Sequence, residues 1–217
     1  MKKRQVSDRI RVKRIPERGI YGREDINTIV DETFLCHISF VMDGQPFIIP
    51  TAFGRKENVI YIHGSSKSRM LLHLESGADL ALAVTHVDGV VLAKSLFHHS
   101  MNYRSVVLYG KACLVTDKSE KMEALEIISE QILKGRWSEA RLPNEIELKA
   151  TTVLKIQIDE ASAKVRTGPP GDDKKDLDLE VWSGILPMYV GFGEPIKDSS
   201  SSIDELPQSI LKKMDNG

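Results

Sequence analysis

Phe34-Leu35-Cys36-His37-Ile38-Ser39-Phe40-Val41, followed by Asp43-Gly44 and then Phe47-Ile48-Ile49, is the stretch that decides the fold. Phe34, Cys36, Ile38 and Phe40 alternate with Leu35, His37, Ser39 and Val41, the two-residue period of a strand with one buried face. Asp43-Gly44 separates the two runs. A tight turn between strands needs positive φ at its central positions, which Asp and Gly tolerate, so the stretch predicts a β-hairpin. Pro46 and Pro50 bracket the second strand, and proline, lacking an N–H, places its flanks at an edge or a bulge.

The same period continues outward. After the polar turn at residues 55–58, residues 59–63 (Val-Ile-Tyr-Ile-His) form a third strand. Residues 68–75 predict a short helix with Met70, Leu71 and Leu74 on one side. Two more strands, 79–87 and 90–94, are expected to meet at a second Asp-Gly turn, Asp88-Gly89. Residues 105–115 predict a strand interrupted at Gly110. Residues 120–134 are the clearest helix, with Met122, Leu125, Ile128 and Ile132 at three- and four-residue spacing. Residues 153–158 and 163–166 predict two late strands. Many short strands with few helices indicate an antiparallel barrel with helical decoration. One domain is expected over 1–197, with a flexible polar tail over 198–217 that begins at Asp198-Ser199-Ser200-Ser201-Ser202.

Composition narrows the class. The 217 residues carry 30 Lys and Arg against 31 Asp and Glu, a net charge of -1. That balance argues against a nucleic-acid or anionic-membrane binder, which shows a basic excess. Hydrophobic residues at 41% suffice for a core. Two cysteines, Cys36 and Cys113, are too few for a disulfide framework. No apolar run approaches the roughly 20 residues that span a bilayer. The basic start Met1-Lys2-Lys3-Arg4-Gln5 has no apolar stretch behind it, so a secretory signal is not expected and the cytoplasm is the default compartment.

Three segments could carry chemistry. In His63-Gly64-Ser65-Ser66-Lys67-Ser68-Arg69 a strand ends and a helix begins among hydroxyls and cations. Such a corner suits a phosphate ester, although Ser65 or Ser68 as an ordinary helix cap explains it equally well. Phe97-His98-His99-Ser100-Met101-Asn102-Tyr103-Arg104-Ser105 crowds polar groups into what reads as a loop at a strand's mouth. Asn102 offers amide hydrogen bonds, Tyr103 a flat face and Arg104 an anion contact; a plain polar connector is the bland account. His98-His99 lacks the carboxylate or Cys cluster that would complete a metal site, and no metal is expected. The third segment, Val181-Trp182-Ser183-Gly184-Ile185-Leu186-Pro187, ahead of Gly193-Glu194-Pro195, could be mere core packing.

Together these segments resemble the FMN-binding split-barrel superfamily, in particular the pyridoxamine 5'-phosphate oxidase-like branch with the nitroimidazole-resistance (Nim-type) proteins. The resemblance rests on Tyr61-Ile62-His63-Gly64-Ser65 with Ser68-Arg69-Met70-Leu71, on His98-His99-Ser100-Met101-Asn102-Tyr103-Arg104-Ser105-Val106-Val107, and on Trp182-Ser183-Gly184. It implies a mainly β, six-stranded antiparallel split barrel, a homodimer with FMN at the interface, and a flavin-dependent oxidoreductase. The small electron-poor or heterocyclic substrate would be reduced with a nicotinamide such as NAD(P)H. It places the FMN phosphate at Gly64, Ser65, Ser68 and Arg69, with Arg104 and Ser105 near it. The ring would lie near Pro50, Thr51 and His63, with Asn102, Tyr103 and Trp182 close by. His63 is then the candidate catalytic residue, because imidazole titrates near working pH. A flavin- or haem-binding protein without turnover is the competing expectation, since fold does not settle function.

Overall fold

The computed structural model describes residues 6–215, so the basic start at Met1–Gln5 lies outside the described residues. Chain order is β1 (Gly19–Ile20), α1 (Arg23–Asp31), β2 (Leu35–Met42), β3 (Gln45–Lys56), β4 (Val59–Ser65) and α2 (Arg69–Leu74). Then come β5 (Asp79–Leu92), β6 (Ser100–Leu114), α3 (Lys118–Ile132), α4 (Glu145–Ala150), β7 (Thr151–Arg166), β8 (Gly184–Pro187) and α5 (Gln208–Asp215). Six strands close a ring in the order β7-β4-β3-β2-β5-β6, with β6 pairing back onto β7. β1 pairs with β7 outside the ring and β8 with β5, both antiparallel. This is the expected six-stranded antiparallel split barrel.

The opening hairpin forms as its sequence demands. β2 and β3 pair from Leu35↔Ala52 to Met42↔Gln45, and the turn residues Asp43 and Gly44 take φ of 52° and 73°. Cys36, Ile38 and Phe40 are buried, whereas Leu35, Val41 and Ile48 on the opposite face are exposed.

The second Asp-Gly does not turn. β5 runs unbroken through Asp88-Gly89, and neither residue has a positive φ. Gly89 is opposite Pro187 of β8, and a Cβ there would meet the Leu186 carbonyl oxygen at 3.0 Å. Glycine serves close strand approach at this point, not reversal. Three further expectations shift for similar reasons. The strand expected from 105 begins at Ser100, so the polar run Ser100–Ser105 is strand and not loop. Gly110 does not interrupt it, and residues 153–158 and 163–166 belong to the single strand β7. α3 starts two residues early because Asp117 caps it, its side chain accepting the Glu120 N–H at 2.8 Å.

The chain divides into two compact units. One comprises Asp31–Leu82, Tyr109–Asp159 and Gly191–Gly217. In it α3 packs Ala124 and Ile128 against Tyr61, Val115 and Val153. Gly54 of β3 permits this, since a Cβ there would sit 2.7 Å from the Ile127 backbone. Ion pairs from Lys56 to Glu123 and from Lys155 to Glu120 tie the same helix to β3 and β7. Ser209 of α5 is buried and donates to Glu139 through both N–H and hydroxyl. The other unit comprises, among the described residues, 6–30, Ala83–Leu108 and Glu160–Val190. Ile26, Ile29 and Val30 of α1 are buried there, and the Ile29 carbonyl bonds His86 Nε2 at 2.9 Å.

At Gly110 the β6 backbone passes so close to β7 that a Cβ would stand 2.3 Å from the Gln157 carbonyl oxygen. Gly110→Ala is expected to destabilise the fold by about 1–3 kcal/mol, lowering Tm by roughly 3–10 °C. Gly171→Ala, with nothing within 4 Å of the new methyl, is the control and should leave Tm in place in a thermal melt.

Candidate functional site

The corner between β4 and α2 lies in the first-described unit. His63 is paired opposite Val153, and its Nδ1 is buried with no hydrogen-bond partner. Burial pushes its pKa below the ordinary histidine value, so the ring is held neutral. Gly64 follows because a Cβ would come within 3.1 Å of Leu71 Cδ1, and α2 packs into that space. Ser65 Oγ accepts the Lys67 N–H at 3.2 Å, while the Ser65 carbonyl takes the Ser68 N–H at 2.9 Å. Ser68 is the N-cap of α2 and accepts from Leu71. Both hydroxyls are therefore caps by their lone pairs, and each keeps an O–H to donate.

Arg69 is held from behind. Its guanidinium lies over the Phe47 ring at 4.8 Å, and Phe47 stacks on Phe40 at 5.4 Å. His73, four residues on and hence on the same helix face, sets its ring 5.4 Å from Phe40. Beyond the strand period, no local pattern marks this aromatic bracket. Pro50 and Thr51 lie in β3 opposite His37 and Cys36. The Cys36 thiol donates to the Thr51 carbonyl at 3.5 Å, and burial pushes its pKa to about 12.

Asn102, Tyr103, Arg104, Ser105 and Trp182 lie in the other unit. Arg104 grips Asp88 with a two-pronged contact, Nε to Oδ2 at 3.0 Å and Nη2 to Oδ1 at 2.9 Å, which holds the Asp88 carboxyl below its usual range. Its charge is thus largely answered within the chain. Asn102 is buried at 7% exposure, bonded to Arg166 and to the Gly168 carbonyl. Ser105 Oγ donates to the Lys164 carbonyl at 3.3 Å. His98 Nε2 lies 3.6 Å from Asp173, and His99 Nε2 bonds the Ala93 carbonyl. Trp182 is 67% exposed, with its ring edge 2.9 Å from where a Gly184 Cβ would be. Sequence reasoning missed Asp88 and Arg166. The first sits in an Asp-Gly pair, which predicts a turn, and the second stands where nothing in the strand period marks it.

Residues 22–165 match the model of the family described as pyridoxamine 5'-phosphate oxidase, and the chain belongs to that family. The flavocytochrome Anf3 from Azotobacter vinelandii is 38% identical, over 95% of this chain and 97% of that one, with a TM-score of 0.89. The FAD and heme binding protein from Mycobacterium smegmatis is 32% identical, over 90% and 97% respectively, with a TM-score of 0.86. A candidate 5-nitroimidazole antibiotic resistance protein from Bacteroides thetaiotaomicron shares the fold at 22% identity, over 68% and 87%, with a TM-score of 0.56. No match was found among curated proteins. No helix among the described residues is long and apolar enough to cross a membrane.

Two outcomes follow for the titratable groups. In native protein a thiol reagent should label Cys113, which is exposed, and leave Cys36 unreacted until denaturant is added. His63, whose folded pKa lies below the unfolded value, binds its proton more readily in the unfolded chain. Stability should therefore fall as pH drops below about 6.5. His63→Gln should lessen that fall in denaturant melts at pH 7 and pH 5.

Proposed function

We propose that the chain is a flavoprotein of the flavocytochrome kind, an oxidoreductase that binds a flavin nucleotide and a haem and works as a homodimer. The observation that carries this reading is the pair of relatives above 30% identity over nine-tenths or more of both chains, one named a flavocytochrome and the other an FAD and heme binding protein. The donor set at the β4–α2 corner suits a phosphate ester. Arg69 supplies a fixed cation, Ser65 and Ser68 supply hydroxyl donors, and Gly64 keeps the backbone close. FMN and FAD share that phosphate and the same ring, so the corner serves either.

When bound, the flavin supplies the hydride and single-electron chemistry, and the protein supplies position and electrostatics. Pro50 and Thr51 offer the ring a proline face and a strand edge. His63, kept neutral by burial and with its Nδ1 buried and unpartnered, would be the proton-holding group of the corner. In the other unit Trp182 offers an exposed flat face, and Asn102 and Arg104 fix strand and loop. His98 and His99 would be the residues to hold a haem iron; Nε2 of the first lies 3.6 Å from Asp173 and Nε2 of the second bonds the Ala93 carbonyl. The homodimer is supported by apolar surface that water disfavours: Tyr189 is 89% and Val190 99% exposed.

Mass spectrometry of freshly purified, denatured protein should release one flavin per chain, its mass separating FMN from FAD, and the native protein should show a Soret band. Absence of any flavin would overturn the reading. Arg69→Ala should raise the flavin Kd about tenfold or more, the loss of one charge-assisted contact. His98→Ala and His99→Ala should each be checked for loss of the Soret band alone. Steady oxidation of NADH or NADPH with an acceptor is expected of an oxidoreductase, and a loaded protein with no turnover would leave a binding protein.

A further inference from the structure

Arg166 ends β7 and is 8% exposed, yet no carboxylate pairs with it among the described residues. Its contacts are all to neutral oxygens. Nη1 donates to Asn102 Oδ1 and to the Gly168 carbonyl at 3.3 Å, and Nη2 to the Pro169 carbonyl at 3.2 Å. Asn102 Nδ2 donates to the same Gly168 carbonyl at 3.2 Å, so the cage is doubly tied. Gly168 adopts φ 102°, a conformation glycine reaches without strain, and this turns the loop carbonyls onto the guanidinium.

Carbonyl and amide oxygens satisfy donors but do not cancel a charge. Burying a guanidinium cation without a counter-charge is unfavourable. Three of its five N–H groups are used, which leaves Nε–H and one Nη2–H without an acceptor among the described residues. Nε–H and Nη2–H form the fork with which Arg104 holds the two oxygens of Asp88 in the same unit. Arg166 therefore has a free Nε–H beside Nη2, a fixed orientation and the unanswered charge of an oxyanion site. It also stands one residue beyond the span that matches the family model.

We propose that Arg166, oriented by Asn102 and the Gly168 and Pro169 carbonyls, is the seat of an oxyanion, the phosphate or carboxylate group of a small ligand. The site does not depend on the flavin reading, because inorganic anions probe it directly.

The test uses the full chain dialysed free of small molecules, with mass spectrometry confirming that no flavin or haem remains. Tm is followed against inorganic phosphate and against acetate, with chloride holding ionic strength constant. At an anion concentration a hundred times Kd, wild type should melt about 5–10 °C higher. Arg166→Lys, which keeps the charge and loses the fork, should reduce the shift, and Arg166→Met should abolish it. A response to phosphate alone assigns a phosphate-bearing ligand, and one to acetate assigns a carboxylate. If neither variant folds, the titration is repeated on Arg69→Ala, which removes the cation of the β4–α2 corner: a saturable shift that persists supports the site, and one that vanishes overturns it. A flat or non-saturating Tm with both anions overturns it, as does a shift that Arg166→Lys leaves unchanged.

Discussion

Everything in this fold rests on β7 serving more than one neighbour. Its first half pairs with β4 from Thr151↔Ser65 to Gln157↔Val59, and its second half carries β1 at Ala163 and Lys164. It also accepts β6, the pairing that closes the ring. A closed sheet has no free edge to recruit other chains, but closure demands that strands approach without side chains in the way. The glycine of β6 opposite the Gln157 carbonyl meets that demand. The corner that ends β4 and the buried Arg166 that ends β7 are both placed by this one strand.

Exposed ion pairs and sheltered arginines handle charge differently. Around α3 the pairs Lys56–Glu123, Lys155–Glu120 and Lys118–Glu145 are partly or well exposed, so each contributes little and screens readily. In the other unit Arg104 and Asp88 are more sheltered and geometrically matched, and Arg166 is buried among neutral acceptors. Two arginines with the same fork thus meet opposite fates. One has its anion built into the chain.

The hairpin was legible because its turn chemistry and its strand period agree, and the corner at residues 63–69 was legible because polar punctuation follows an apolar strand. The second Asp-Gly misled for a physical reason. A dipeptide that permits positive φ also permits two backbones to pass closely, and only the pairing of Gly89 with Pro187 distinguishes the uses. The run from Ser100 to Ser105 looked like a loop because its side chains are polar. Asn102 is buried with a partner 64 residues away, which no local pattern announces. The bracket of Phe40 and Phe47 behind Arg69 is likewise a product of strand register meeting helix spacing.

That bracket has a consequence for recognition. A free arginine side chain surrenders about 2 kcal/mol of rotamer freedom when it clamps an anion. Arg69 has already surrendered part of it to Phe47, and His73 one turn further on keeps the helix from rolling away. Part of the ordering is thus done within the chain, so an anion of the kind proposed would spend less of its interaction energy on it.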